Sequence, residues 1–144
     1  MNVGSVRNKL DKVKCLVRES KCDIPVLTET EIEIGLYELD EYNAVHLCRE
    51  KRGGGVSIYV RKLMEYREVE SSEHGDLFNW LCVHIGDENF KVTVIYRHPS
   101  YRHTQLRNNL DYIMGRYRIV GDLNIILLEE NTTEVVYYKT QYSV

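Results

Sequence analysis

Three stretches of this chain alternate apolar and polar residues with a period of two, and this pattern restricts the fold more than any other feature. After the glycine run 53–55, Val56, Ile58 and Val60 alternate with Ser57 and Tyr59. Residues 78–85 and 91–96 alternate in the same way and are separated by the turn-like segment 86–89. Successive side chains of a β-strand point to opposite faces, so the pattern predicts half-buried strands, the last two joined as a hairpin.

Helical periodicity occurs on both sides of this sheet region. Apolar residues spaced three or four apart predict one amphipathic helix over residues 7–21, with Asn8 or Ser5 as its N-cap, and a second between residues 106 and 117. Further strands are expected at 23–29, 42–48, 118–120 and 134–138. Pro25 lacks an N–H donor, so the strand that contains it should carry it at its start, at an edge or at a bulge. The chain is therefore expected to form a single layered α+β domain over residues 1–144.

Composition is typical of a globular chain and argues against disorder and membrane insertion. Hydrophobic residues make up 43% and charged residues 28% of the 144 positions. No apolar run approaches the roughly 20 residues that cross a bilayer, and the amino terminus lacks an apolar signal core. We therefore expect no membrane contact and an intracellular location, nuclear or cytoplasmic. The four cysteines show no C-x-x-C spacing, which favours reduced and mostly buried thiols over a zinc or redox site.

Charge alternates in blocks along the chain. The formal net charge of -3 argues against a protein that coats nucleic acid through bulk electrostatics. Acidic stretches 23–50 and 68–90 nevertheless alternate with basic stretches 51–67 and 91–118. Solvated faces explain any one block, but basic blocks beside an acidic metal site would place phosphate contacts next to metal carboxylates.

Polar residues concentrate at the ends of three predicted strands. Asp122 and Asn124 stand two apart, so both project from one face of an extended backbone. Mg²⁺ favours oxygen ligands and needs only one or two carboxylates, and Glu29 is the natural second. Tyr96 offers a phenol and Arg97 a planar donor fork that suits phosphate. Each residue taken alone is better explained as an ordinary turn or surface residue.

Five segments matter through their order in the chain. They are NVGSVRNK at 2–9, DIPVLTET at 23–30, RGGGVSIYV at 52–60, IYRHPS at 95–100 and VGDLNI at 120–125. Together they resemble the endonuclease domain of non-LTR retrotransposons, a branch of the endonuclease/exonuclease/phosphatase superfamily with the deoxyribonuclease I-like fold. The resemblance spans about residues 2–125 and implies the amino-terminal part of that layered sandwich, a mostly antiparallel sheet flanked by helices.

The resemblance also implies an activity and a set of site residues. The implied reaction is hydrolysis of a DNA phosphodiester that leaves a nick and depends on Mg²⁺, with Mn²⁺ as an alternative. Glu29 and Asn2 match the family's metal-site residues, and Tyr96, Asp122 and Asn124 match its catalytic residues. Three further residues are assigned to phosphate or DNA binding: Arg97, Arg52 and Ser100.

The chain departs from the family after residue 125. The family continues to a Ser-Asp-His segment, whereas this tail contains no histidine and His98 stands where proline is usual. A carboxyl-terminally shortened domain of impaired activity is therefore expected, with DNA as partner. A homodimer is expected to cover a sheet face, because five valine and isoleucine residues need burial: Val56, Ile58, Val60, Val92 and Val94. Two alternatives stay open, a non-catalytic module that binds nucleic acid or protein and a phosphatase for a small molecule.

Overall fold

The structure is a computed structural model that describes residues 9–30, 38–48, 54–72, 77–86, 90–101, 103–114 and 118–122. Helices and strands follow one another in the described part of the chain in this order: α1 (Leu10–Ser20), β1 (Val26–Thr28), β2 (Tyr42–Leu47), β3 (Val56–Arg61), β4 (Tyr66–Ser71), β5 (Phe78–Ile85), β6 (Phe90–Arg97), α2 (His103–Met114) and β7 (Arg118–Asp122).

The strands form two sheets. The first has the order β1-β3-β2 and is antiparallel throughout. The second has the order β4-β5-β6-β7, in which β4, β5 and β6 are antiparallel neighbours. Strands β6 and β7 run parallel, and α2 provides the crossover that a parallel pair requires. The expected α+β class with mostly antiparallel sheets is confirmed.

The two sheets pack face to face within this one chain. Their shared core contains these buried side chains: Leu47, Val56, Ile58, Val60, Leu81, Val83, Ile85, Val92, Val94 and Tyr96. Val56, Ile58, Val60 and Val94 are 0% exposed and Val92 is 8% exposed. The reason for expecting a homodimer is therefore wrong, because the residues that were to be covered by a second copy are already buried.

Helices cover the outer face of each sheet. On the three-stranded sheet, Val13 and Val17 of α1 pack with Leu27, Leu39 and Tyr59. On the four-stranded sheet, Ile113 of α2 packs with Phe78 and Ile95. Strand β3 is thus buried on both faces, Ser57 and Tyr59 included. The prediction that β3 would be half-buried is wrong, because its second face lies against α1 rather than solvent.

The ends of the first elements differ partly from expectation. Helix α1 has Lys9 at its N-cap position with no side-chain cap bond, so neither Asn8 nor Ser5 is the cap. Lys21 ends the helix in the left-handed conformation, with φ 50. Pro25 directly precedes β1, as expected, and its carbonyl accepts a hydrogen bond from the Tyr59 N–H at 2.9 Å.

The remaining expectations are partly met. Strand β4 was not predicted, and the expected strand at 134–138 lies outside the described residues. All four cysteines are free, but Cys15 and Cys22 are exposed, Cys48 is half-buried and Cys82 is buried, so the expectation of mostly buried thiols is wrong for the first two. Among the described residues no helix is both long enough and apolar enough to cross a membrane.

Candidate active site at one end of the sandwich

The space between the sheets is apolar along most of its length and becomes polar at one end. Alternation puts Val26 of β1, Leu81 of β5 and Val94 of β6 on the faces that meet between the sheets. The residues two positions nearer this end on each strand are polar, and they are Thr28, Asn79 and Tyr96. All three are buried, at 2%, 0% and 2% exposure respectively. A polar group at each position marks this end as the chemically distinct part of the core.

A chain of hydrogen bonds joins the two sheets here. The Gly55 N–H donates to Oδ1 of Asn79 at 3.3 Å, and the Gly55 carbonyl accepts from the Thr30 N–H at 3.4 Å. Gly55 has φ 81, a conformation that glycine adopts at little cost. The Gly55 residue therefore links β5 of one sheet to the segment that follows β1 of the other.

Strand register extends this link to Tyr96 and Asp122. Asn79 lies opposite Tyr96, and Tyr96 lies opposite Asp122 in the parallel pair β6 and β7. Strand β1 also lies against β6 and β7 across the sandwich. The end of β1, which leads into Glu29, and the end of β7 at Asp122 therefore meet at the same end of the molecule.

Glu29 follows β1 in an unusual backbone conformation. Its φ is 57, in the left-handed region that costs a residue with a side chain about 1–2 kcal/mol. The pairing of Thr28 with Val56 fixes the residue before it, and the bond from Thr30 to Gly55 fixes the residue after it. Strain that is imposed from both sides is a recurrent property of functional positions. The half-buried Glu29 is held in this way at the polar end.

Thr28 carries a buried hydroxyl that forms no hydrogen bond with the residues that the structure describes. Its Oγ1 is inaccessible to solvent. A buried polar group in this situation costs about 1–3 kcal/mol. The hydroxyl lies on the inner face of β1, one residue before Glu29, and is therefore an unused oxygen at the polar end.

A rigid turn follows β6 at the same end. The Tyr101 N–H donates to the His98 carbonyl at 2.9 Å, which closes the turn. Arg97 is only 2% exposed, and its Nη2 donates to the Tyr101 carbonyl at 2.6 Å. The Tyr101 ring stacks on Phe78 with centroids 5.4 Å apart. Arg97 was assigned to phosphate binding from the sequence, but its guanidinium lies inside the protein and holds this turn.

His98 and Ser100 form an interacting pair on the turn, which sequence reasoning did not identify. His98 Nδ1 lies 2.6 Å from the Ser100 Oγ, and the Ser100 N–H donates to the same nitrogen at 3.2 Å. Histidine two residues before serine, just after a strand, was the available signal.

The other predicted site residues are less fully described. Asn2, Arg52 and Asn124 lie outside the described residues, and Asp122 is placed by its backbone. In the described ranges no three His, Cys, Asp or Glu side chains gather closely enough to form a complete metal cluster. The oxygens found at this end, from the Glu29 carboxyl and the unpartnered Thr28 hydroxyl, are nevertheless of the type that suits a hard divalent cation.

Two residues with shifted pKa values, His46 and Tyr59, lie on the outer face of the three-stranded sheet. Burial lowers the pKa of His46, whose Nδ1 lies 2.8 Å from the Ser57 Oγ. Burial raises the pKa of Tyr59 to about 12. The two rings make an edge contact at 5.5 Å. Tyr59 packs against α1, and His46 contacts it on the same outer face, so these shifts arise from packing and not from the polar end.

Comparison with known proteins identifies the fold. No family model and no curated protein sequence matches the chain. Among solved structures 31 chains match, and the deoxyribonuclease I-like fold of the named ones below is the fold of this chain. The retrotransposon type remains a prediction.

Three of these structures illustrate the likeness. An AP endonuclease from Archaeoglobus fulgidus has a TM-score of 0.62 and 22% identity, with 86% of this chain and 55% of that one covered. The catalytic domain of human Nocturnin, solved with a bound sulfate anion, has a TM-score of 0.54 and 15% identity, with coverage of 85% and 61%. An endonuclease/exonuclease/phosphatase from Bacteroides vulgatus has a TM-score of 0.52 and 15% identity, with coverage of 83% and 59%. The chain thus spans little more than half the length of these proteins.

Proposed function

We propose that the protein is a divalent-metal-dependent phosphodiesterase that nicks DNA, of the endonuclease type found in non-LTR retrotransposons. The single observation that carries this proposal is the polar end of the sandwich, where the ends of β1, β6 and β7 come together in a deoxyribonuclease I-like fold. The first of the similar structures is an AP endonuclease, which favours DNA as the substrate class.

Glu29 and Asn2 would hold the cation, Mg²⁺ or Mn²⁺. The strained backbone at Glu29 and the spare hydroxyl of Thr28 support a cation there, because both features are costly to a protein that binds nothing at this point. When bound, the cation supplies positive charge against the negative charge that develops on the phosphate.

Asp122, Asn124 and Tyr96 would act on the attacking water and the scissile phosphate. Asp122 would orient the water and accept its proton, while Asn124 and the Tyr96 hydroxyl would donate hydrogen bonds to phosphate oxygens. The strand register supports these roles, because it sets Tyr96 opposite Asp122 and so puts both residues at one level of the sheet.

Contacts to DNA would come from the surface around this end. Ser100 is exposed on the turn after β6 and would donate to a backbone phosphate, as would Arg52. Arg97 would contribute through the turn, by holding the Tyr101 carbonyl so that Ser100 keeps its place. The turn that carries Ser100 lies within the basic stretch 91–118.

A plasmid nicking assay tests the proposal. Conversion of supercoiled to open-circular DNA should require Mg²⁺ and stop with EDTA. Glu29→Gln and Asp122→Asn should each lower the rate by roughly 100-fold or more, since members of a catalytic set act as a unit. Glu65→Gln is the matched control, because Glu65 lies beside Gly86 at the opposite end of the second sheet.

The alternatives predict different results. A folded protein that nicks no faster with Mg²⁺ than with EDTA would refute the enzyme and leave a nucleic-acid-binding or protein-interaction module. Hydrolysis of a small phosphate ester without any nicking would favour the phosphatase.

A further inference from the structure

The Thr28 hydroxyl is out of place by the usual rules of packing. Val26 lies two residues before it on the same face of β1, and Val56 is its partner on β3. Valine has the shape of threonine without the hydroxyl, so it would fill the Thr28 position without burying an unpartnered oxygen. Threonine at this position therefore puts a polar atom in the core where the described residues offer it no partner.

The Thr28 hydroxyl lies next to the candidate cation site. Thr28 is the last residue of β1, and Glu29 follows it with its backbone fixed in the left-handed region. Asn79 and Tyr96 occupy the equivalent inner positions on the facing sheet. The hydroxyl therefore lies at the polar end and on the inner side of the sandwich.

We propose that Oγ1 of Thr28 accepts a hydrogen bond from a water molecule carried by the divalent cation that Glu29 holds, so that Thr28 is a positioning residue of the site. The inference rests on the proposed function. Mg²⁺ typically keeps several of its waters when a protein binds it, and those waters are strong hydrogen-bond donors that need acceptors. Partners of this kind orient the bound ion and contribute to its affinity.

Three variants test the proposal. Thr28→Val removes the hydroxyl at constant shape, and Thr28→Ser keeps it. Thr93→Val is the matched control, because the buried Oγ1 of Thr93 also has no hydrogen-bond partner among the described residues but lies in the middle of β6, away from the polar end. Each variant is unfolded with urea in metal-free buffer and titrated with MgCl2, with the amide NMR signals of Glu29 and Thr30 followed.

Thr28→Val is expected to raise the stability to urea and to lower the affinity for Mg²⁺. Thr28→Val should unfold at a higher urea concentration than the wild type, because it loses an unsatisfied hydroxyl. The same variant should bind Mg²⁺ about 3- to 10-fold more weakly, the effect of losing one hydrogen bond. Thr28→Ser should bind within about twofold of the wild type, and Thr93→Val should not change the Mg²⁺ affinity.

Each other outcome would overturn the inference. Equal Mg²⁺ affinity for Thr28→Val and the wild type would remove Thr28 from the site and leave the cation proposal standing. Weak binding by Thr28→Ser would show that shape rather than the hydroxyl matters. Lower stability of Thr28→Val in metal-free buffer would show that the hydroxyl has a partner within the protein. If the wild type itself does not respond to Mg²⁺ at Glu29, this inference and the proposed cation fail together.

Discussion

Replacing Asn79 with leucine tests whether one hydrogen bond between the sheets holds the candidate site together. Leucine is similar in size but has no acceptor, so the buried Gly55 N–H would lose the partner that it now reaches at 3.3 Å. An orphaned buried donor costs about 1–3 kcal/mol, and this bond is longer than the usual 2.9–3.0 Å, which favours the lower half of that range. We expect a loss of about 1–2 kcal/mol in the free energy of unfolding.

Two measurements follow from this magnitude. With a urea dependence of about 2 kcal/mol/M, the unfolding midpoint should fall by roughly 0.5–1 M. Hydrogen exchange gives the local test, because the Gly55 amide should exchange about 5- to 30-fold faster. The Mg²⁺ response at Glu29 should weaken as well, since Gly55 also holds the Thr30 N–H.

Hydrogen exchange can refute this reasoning directly. If the Gly55 amide stays as protected in Asn79→Leu as in the wild type, the bond to Oδ1 does not hold the segment. Thr93→Val provides the comparison on the neighbouring strand, where loss of a buried hydroxyl should leave Gly55 exchange unchanged.

Three further predictions concern strain and pH. Glu29→Gly should raise the free energy of unfolding in metal-free buffer by about 0.5–1 kcal/mol, because glycine adopts φ 57 at less cost. Glu29→Ala should not raise it, and equal stability of these two variants would contradict the proposed backbone strain. Burial lowers the pKa of His46, so the unfolded chain binds more protons below pH 6.5 and stability should fall as the pH decreases. If the urea midpoint of His46→Asn falls as much between pH 7.5 and 5 as that of the wild type, His46 is not the cause. Burial raises the pKa of Tyr59 to about 12, so stability should fall from about pH 10 upward, and Tyr59→Phe should lose less over that interval in the same urea assay.

Periodicity predicted most of the strands because it is a local property. The alternation at 56–61 and 78–85 corresponds to β3 and β5, and the position of Pro25 was predicted from its missing N–H. Strand β4 was missed because its sequence YREVES is mostly polar, and its pairing with β5 stabilises it as a strand. The burial of Tyr59 was missed because the packing of α1 on β3 is a long-range contact.

The candidate site was predictable to the extent that it depends on residue type at strand ends. Glu29, Tyr96 and Asp122 were singled out as polar residues at such ends, and the strand register accounts for their shared level. Asn79 gave no signal, because an asparagine within an alternating strand resembles any polar residue on a solvent face until the second sheet is in place. The left-handed backbone of Glu29 arises from contacts on both sides of it and has no sequence signature.

Glu29 extends from the three-stranded sheet and Asp122 belongs to the four-stranded one, with the Gly55 peptide as a bridge between them. A ligand bound by residues of both sheets would link the two sheets. If one sheet shifted along the other by a single residue, about 3.3 Å, the residues that bind the ligand would move apart. Saturating such a ligand at 100 times its dissociation constant adds about 2.7 kcal/mol to the folded state. This added free energy would oppose separation of the two sheets, so the sheets would be held together more strongly as more of the protein binds the ligand.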